Sequence, residues 1–277
     1  MRRRLVATAL ALLAVGAALA VGCSPAGVLR TEGSRVTQVR LGPPLSPNAF
    51  VVTGPRGPVV VDPGPQGEGH AGRLDAALAE LGHGPEDVAL VVLTHAHFDH
   101  AGGAARLQRL GARVVAGAGD LAALRAGRGG ALHPTGLEAA FVDAVLIRDE
   151  AFPAVEPDLV LGPDRPSLDL RPWGVAGRVV QMPGHTPGSL ALLLDDGDVV
   201  AGDLVRGGYM GGTVASRKPV THYFQEDRAR AEANVAALLR WGARRLYVGH
   251  GGPLDRDRLA AWAGLSLHPE PDSPLIR

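Results

Sequence analysis

Three histidines and one aspartate lie within a single short stretch of the chain, directly after an apolar run. The run before them is Val91-Val92-Leu93, and the four polar residues are His95, His97, Asp99 and His100. A short β-branched run of this kind is typical of a buried strand, and imidazole and carboxylate are common ligands of zinc and related divalent ions. We therefore expect a strand that ends in a metal-binding loop. A histidine-rich surface loop is the alternative that this stretch alone leaves open.

Three further candidate ligands stand in similar local settings. His185, Asp203 and His250 each follow an apolar stretch and each have glycine or proline beside them. This is how a strand ends in a tight turn. Four strand ends of this kind can present their side chains at one rim of a sheet scaffold, and this requirement constrains the fold.

The remaining pattern predicts alternating groups of strands and helices. We predict strands over 35–41, 49–53, 57–62, 88–93, 113–116, 168–172, 177–182, 189–194, 197–202 and 244–248. We predict helices over 71–81, 104–110, 121–125, 225–241 and 254–265, and a glycine-rich loop over 207–212. Runs of strands with helices between the runs favour an α/β (α+β) protein with two packed sheets flanked by helices.

The spaced ligands resemble a known family. The pattern His95-x-His97-x-Asp99-His100, followed by His185, Asp203 and His250, resembles the metallo-β-lactamase superfamily of metal-dependent hydrolases over roughly residues 35–265. The resemblance implies a four-layer αββα sandwich and two divalent metal ions, most often zinc, with iron or manganese as alternatives. It implies that His95, His97 and His185 bind the first ion, that Asp99, His100 and His250 bind the second, and that Asp203 bridges both.

Several other residues are candidates for supporting roles. Asp62 resembles the family's early strand-end aspartate, although the same residue before Pro63 and Gly64 can be a simple turn opener. Asp99 is the expected catalytic residue, since it can orient the nucleophile as well as bind metal. Candidates for supporting a ligand or contacting substrate are Thr94, Arg206 and Tyr209, with less support for His222 and Tyr223.

The ligand types favour hydrolysis of a small molecule. Two divalent ions can lower the pKa of a bound water to about 7 and generate a metal-bridging hydroxide. We expect attack on an ester, lactone, thioester or related bond, as the resemblance to glyoxalase II and lactonase ligand sets implies. Asp203 argues against a dedicated secreted metallo-β-lactamase. That activity, a mono-iron persulfide-type oxygenase and a non-catalytic metal-binding lipoprotein remain the alternatives.

The N-terminal segment predicts export and a lipid anchor. Arg2, Arg3 and Arg4 precede the uncharged apolar run Leu5–Val21, and Gly22 and Cys23 follow it. This is the pattern of a secretion signal, and its end resembles a bacterial lipobox whose cysteine is lipidated. Cys23 is the only cysteine, which excludes an internal disulfide. We expect a membrane-anchored lipoprotein on the periplasmic or extracellular face.

The chain is expected to hold one large domain. The predicted segments are a signal peptide (1–22), a lipidated tether (23–34), the domain (35–265), an insertion at about 126–166 that forms either a substrate-side element or a neutral excursion, and an irregular tail (266–277). Loss of the signal would leave a net charge of about −3 with no basic cluster. We therefore expect no nucleic-acid partner, and the oligomeric state stays open.

Overall fold

The computed structural model describes residues 27–42, 46–145 and 151–266. The predicted signal peptide, Cys23 and the tail from residue 267 onwards lie outside these residues. Within the described ranges, no helix has both the length and the apolar composition that are needed to cross a bilayer.

The first sheet contains seven strands that follow one another in chain order. They are β1 (Gly27–Arg30), β2 (Val36–Arg40), β3 (Asn48–Gly54), β4 (Gly57–Val61), β5 (Leu90–Val92), β6 (Arg113–Gly117) and β7 (Leu159–Leu161). Strands β1 to β4 pair antiparallel, whereas β4 to β7 pair parallel. The carboxyl ends of β4, β5 and β6 therefore meet at one edge of the sheet.

The remaining strands form a second sheet and a separate hairpin. In chain order they are β8 (Ser167–Asp169), β9 (Gly177–Gln181), β10 (Leu190–Leu194), β11 (Asp198–Gly202), β12 (Arg206–Tyr209), β13 (Val214–Val220), β14 (Arg245–Val248) and β15 (Leu254–Asp255). The second sheet has the order β15-β14-β11-β10-β9-β8, and β12 pairs with β13 alone. Because β11 and β14 are parallel, the residues that follow them also meet at one edge.

Helices cover the outer faces of both sheets. In chain order the helices are α1 (Glu68–Glu80), α2 (Phe98–Ala101), α3 (Ala104–Arg109), α4 (Leu121–Ala126), α5 (Leu137–Val145), α6 (Arg228–Trp241) and α7 (Arg256–Ala263). Of these, α1, α3 and α4 pack on the first sheet, and α6 and α7 pack on the second. Helix α6 shows how the sequence sets the bounds of a helix. The Asp227 carboxylate accepts a hydrogen bond from the Arg230 N–H at its start, and Gly242 ends it with φ 110°.

Alternation along the strands separates three apolar layers. Val59 and Val61 of β4 pack between the two sheets, whereas Val60 faces α1 and α3. In β10, the even-numbered leucines at 190, 192 and 194 also lie between the sheets, whereas Ala191 and Leu193 face α6 and α7. Side chains of a strand alternate between faces, so each strand contributes to two layers. The predicted four-layer αββα sandwich is confirmed.

Two regions differ from the expectation. Gly27–Arg30, within the predicted tether, forms the edge strand β1, and Gly27 pairs with Arg40. The predicted insertion contributes α5 and also β7, which pairs with β6 and so belongs to the sandwich. The backbone hydrogen bonds of an edge strand need no strong alternation of side chains, which explains why these short strands left no clear sequence signal.

The glycine-rich segment and the start of the last helix also differ from what the sequence predicts. Residues 207–212, predicted as a loop, contribute to the hairpin of β12 and β13. Glycines allow the two backbones of this hairpin to approach closely, because a Cβ on Gly208 would overlap the Val214 carbonyl. The predicted helix over 254–265 begins as β15, which pairs with β14, and becomes helical at Arg256.

Candidate metal centre

Strand ends from both halves of the sandwich deliver the predicted ligands to one place. The loop after β5 carries His95 and His97, and α2 carries Asp99 and His100. The loop between β9 and β10 carries His185, and Asp203 and His250 follow the parallel strands β11 and β14. The structure therefore brings all seven predicted ligands together.

One oxygen atom lies at the centre of this arrangement. The Oδ2 atom of Asp203 is 3.8 Å from His95 Nε2, 3.4 Å from His100 Nε2, 3.7 Å from His185 Nε2 and 3.6 Å from His250 Nε2. The Asp203 side chain is almost fully buried. A carboxylate in this position can contact two ions at once.

Two triads of donor atoms lie on either side of Asp203. His97 Nδ1 is 3.1 Å from His185 Nε2, and these two residues form a compact group with His95. Asp99 Oδ2 is 3.4 Å from His250 Nε2 and 3.8 Å from His100 Nε2, which defines the second group. Each triad matches the ligand number of a catalytic zinc site, in which three protein ligands leave a position open.

Buried polar atoms without a hydrogen-bond partner indicate whether divalent ions fit between these ligands. Among the described residues, His95 Nε2, His100 Nε2 and Asp203 Oδ1 are buried side-chain atoms without a hydrogen-bond partner. A buried polar atom without a partner costs about 1–3 kcal/mol. His95 Nε2 and His100 Nε2 face the Asp203 carboxylate, and all three atoms are of types that bind first-row metals. They fit bound divalent ions, commonly zinc.

Asp62 orients ligands of both triads. It follows β4 with φ 53° and is fully buried. Its carboxylate accepts hydrogen bonds from Thr94 N–H (2.8 Å), Thr94 Oγ1–H (2.6 Å) and His100 Nδ1–H (2.9 Å). Since the Thr94 hydroxyl donates to Asp62, its oxygen accepts from His95 Nδ1–H at 3.0 Å. Both His95 and His100 therefore present Nε2 to the centre, as metal-ligating histidines do.

Asp120 is a positioning residue that sequence reasoning missed. It follows β6 and is buried, and its carboxylate joins two ligand loops. It accepts hydrogen bonds from Ala96 N–H (3.0 Å) in the first loop, and from Thr186 Oγ1–H (2.8 Å) and Gly188 N–H (2.9 Å) in the second. Its strand-end position after β6 was the available signal, since the ends of parallel strands meet.

The loop that carries His250 is held by residues of the first sheet. The Asn48 side chain donates to the Val248 and Gly251 carbonyls, at 2.8 Å each, and Gln38 Nε2 donates to Gly251 O at 2.9 Å. A Cβ on Gly249 would collide with the Asp203 carboxylate. The close approach of this backbone to Asp203 therefore requires glycine.

The two substrate candidates Arg206 and Tyr209 lie in the hairpin next to the centre. The buried Arg206 guanidinium donates to Thr221 O and Gly208 O and stacks 3.7 Å from the Tyr223 ring centroid. Tyr209 Oη accepts from Lys218 Nζ at 2.9 Å. Arg206 also pairs with the Glu138 carboxylate of α5 at 3.9 Å, and the other contacts described for both residues lie within the hairpin and its flanks rather than with the seven ligands.

The predicted insertion forms one wall of the centre. Gly129 lies against His97, because a Cβ there would be 3.3 Å from His97 Cδ2. Further along, Thr135 N–H and Oγ1–H donate to the Tyr223 and His222 carbonyls. The Glu138 carboxylate of α5 then accepts from Tyr223 Oη at 3.1 Å. The segment therefore passes from one ligand loop to the hairpin.

Burial and mutual contacts divide the histidines into two classes. Burial, together with neighbouring imidazoles, lowers the pKa of His95 and His185 well below the ordinary value, and burial lowers that of His97 to about 4. Burial also opposes the charged forms of His100 and His250. The Asp203 and Asp99 carboxylates outweigh this effect of burial. They raise the pKa of His100 well above its ordinary value and that of His250 to about 9.

The same contacts shift the pKa values of the two ligand carboxylates. Burial would raise the pKa values of Asp99 and Asp203, but the surrounding imidazoles hold both well below the usual range. Without metal, the second triad therefore holds protons that an incoming ion must displace, whereas the first triad offers neutral imidazoles.

We predict that Asp120→Asn weakens metal binding about 10- to 100-fold, because an amide nitrogen cannot accept the hydrogen bonds that align the two loops. A chelator competition titration measures this. Asp198→Asn is the matched control, since Asp198 is also buried but pairs with Arg245 at the opposite end of β11. The control should lower stability and leave metal affinity unchanged. Equal metal affinities for Asp120→Asn and the unmodified protein would contradict the role.

We also predict that the metal-free protein is most stable near pH 6.5. Between pH 6.5 and 4 the unfolded chain protonates His97 but the folded chain does not, so stability falls with falling pH. Between pH 6.5 and 9 the folded chain keeps the His250 proton that the unfolded chain loses, so stability falls with rising pH. Urea unfolding of chelated protein from pH 4 to 9 measures this. A free energy of unfolding that only rises or only falls over that range would contradict the pKa shifts of His97 and His250.

Comparison with known proteins agrees with this geometry. The profile of the metallo-β-lactamase superfamily matches residues 42–250, which include every ligand of both triads. A metallo-β-lactamase family protein from Thermus thermophilus is 27% identical, with a TM-score of 0.60, over 83% of this chain and 77% of that one.

Two metallo-β-lactamases share the fold at lower identity. A HARLDQ-motif mutant enzyme from Cronobacter sakazakii is 23% identical, with a TM-score of 0.59, over 87% of this chain and 93% of that one. The B3 metallo-β-lactamase BLEG-1 is 20% identical, with a TM-score of 0.60, over 87% and 99%. The ligand clusters, the sandwich and the profile match together show that the chain belongs to the metallo-β-lactamase superfamily.

Proposed function

We propose that this protein is a binuclear metal-dependent hydrolase that acts on an ester, lactone or thioester bond of a small molecule. The observation that carries the proposal is the position of Asp203 Oδ2, which lies between the two triads and within 3.4–3.8 Å of a histidine nitrogen from each. Two bound divalent ions would supply activation of water at neutral pH and polarisation of a carbonyl or phosphoryl oxygen.

The seven ligands and their neighbours have separate roles in this proposal. His95, His97 and His185 would hold the first ion, Asp99, His100 and His250 would hold the second, and Asp203 would contribute its carboxylate to both. The Asp62–Thr94 pair keeps His95 and His100 in the tautomer that presents Nε2. Asp99 has a carboxylate at the edge of the second triad, where it can orient the attacking water and receive its proton.

The substrate side is the wall formed by the insertion and the hairpin. Leu137 and Phe141 of α5, and Met210 and Val214 of the hairpin, are exposed apolar side chains. Both elements adjoin Tyr223, which neighbours the centre through His222. Exposed apolar side chains on elements next to a polar reaction centre are typical of small-molecule sites and suit an uncharged acyl group.

Metal analysis and a hydrolysis panel test this function. We expect two divalent ions per chain and turnover of at least one of an ester, a lactone and a thioester, with a β-lactam and a phosphodiester as the competing substrates. His97→Ala should lose metal and activity together, whereas His133→Ala, which changes an exposed histidine, should keep both. One iron per chain with oxygen uptake on a persulfide would favour the oxygenase alternative. A protein that binds no metal would refute the enzymatic assignment.

We further propose that the protein is exported and anchored through a lipid on Cys23. The support is the N-terminal sequence and the nearness of Cys23 to β1, since three residues separate Cys23 from Gly27. Even fully extended, this connection spans about 14 Å, so the first sheet would lie close to the membrane surface.

Replacement of Cys23 by serine tests the anchor. Cys23→Ser should move the protein from the membrane fraction to the soluble exported fraction, because the lipid attachment point is lost. Fractionation followed by immunoblotting measures the distribution, and Ser24→Ala serves as the neighbouring control. An unchanged membrane fraction for Cys23→Ser would show that another segment anchors the chain.

A further inference from the structure

His222 lies at the centre although the seven-ligand pattern does not include it. It follows β13 and is 5% exposed. Its Nε2 atom is 3.1 Å from Asp203 Oδ2, which is shorter than the distance from that oxygen to Nε2 of His95, His100, His185 or His250. It also forms a compact donor group with His185 and Asp203.

His222 is oriented in the same way as the candidate ligand His185. The Phe224 carbonyl lies 2.8 Å from His185 Nδ1 and 3.1 Å from His222 Nδ1, so it can accept a hydrogen bond from each ring. The two rings are 4.8 Å apart between centroids. Ligating histidines usually donate their second N–H to a carbonyl or carboxylate. One carbonyl therefore directs both Nε2 atoms towards Asp203.

The wall segment fixes His222 from the other side. Thr135 Oγ1–H donates to the His222 carbonyl at 2.8 Å, Thr135 N–H donates to the Tyr223 carbonyl, and Gln225 N–H donates to the His133 carbonyl. These bonds hold the backbone from His222 to Gln225. The insertion thus contacts the segment that carries this histidine.

We propose that His222 is an additional protein ligand of the metal centre, binding through Nε2 the ion that His95, His97 and His185 hold. The proposal rests on the proposed metal centre and deepens it. With Asp203, that ion would have four imidazole nitrogens and one carboxylate oxygen. This exceeds the three protein ligands of a usual catalytic zinc site and suits a six-coordinate ion with one position left for water or substrate.

The competing arrangement has a different tautomer. Phe224 N–H lies 3.3 Å from His222 Nδ1, and if it donates there, His222 Nε2–H donates to Asp203 Oδ2 instead. In that case His222 positions Asp203 without binding metal. The two arrangements differ in whether His222 is bonded to the ion, so the test must count coordinated imidazoles.

Cobalt(II) substitution of the full protein supplies that count. Each imidazole bonded to cobalt(II) gives one far-shifted exchangeable N–H proton resonance. We expect His222→Gln to lose one such resonance relative to the unmodified protein and to show stronger visible absorption, since the coordination number of the ion falls. Its affinity for the first cobalt ion should fall about 10- to 100-fold. His83→Gln, which changes a partly exposed histidine that lies near Asp87, is the matched control and should change none of the three.

A second variant separates ligation from folding. His222→Asp keeps a donor that can bind a divalent ion, so it should regain part of the cobalt affinity that His222→Gln loses. If His222→Gln keeps every shifted resonance, or if His222→Asp binds cobalt no better than His222→Gln, His222 is not a ligand, and the hydrolase proposal stands. If the unmodified protein binds no cobalt, the metal centre itself is wrong.

Discussion

The structure depends on the burial of one carboxylate among imidazoles. Asp203 has Nε2 atoms of five histidines within 3.8 Å of Oδ2. Burying that many ionisable groups in one place is costly unless their charges and lone pairs are matched. Protons on His100 and His250 balance the two carboxylates in the metal-free protein, and divalent ions replace those protons when they bind. Contacts elsewhere in the fold must therefore offset the free-energy cost of burying these groups.

Four sets of contacts provide that support, and each joins segments that are distant in sequence. Asp62 aligns His95 through Thr94 and aligns His100 directly. Asp120 joins the first ligand loop to the loop of His185, while Asn48 and Gln38 hold the loop of His250. The Phe224 carbonyl orients His185 and faces His222. Several of these contacts link the two halves of the sandwich, and together they hold the ligand loops in place.

Much of the fold could be predicted because its signals are local. Apolar runs located β4, β10 and β11 to within one or two residues, and an amphipathic pattern predicted α6, which starts at Arg228 rather than at residue 225. Shorter or glycine-rich elements were harder to predict. β7 has three residues in a proline- and glycine-rich stretch, and the β12–β13 hairpin has glycine where strands usually carry β-branched residues. Backbone hydrogen bonds to neighbouring strands form both elements, and such bonds leave little trace in the pattern of side chains.

The sequence by itself determined the ligand types, their grouping at strand ends and the layered architecture, since spacing and periodicity act within one segment. Only the tertiary structure decided which other residues reach the centre. Asp120 and Thr186 are 66 positions apart, and His222 follows a strand that no pattern predicted. Their roles arise because parallel strands end at one edge and because the insertion folds back onto the hairpin. Such contacts depend on packing between distant segments, which no local pattern encodes.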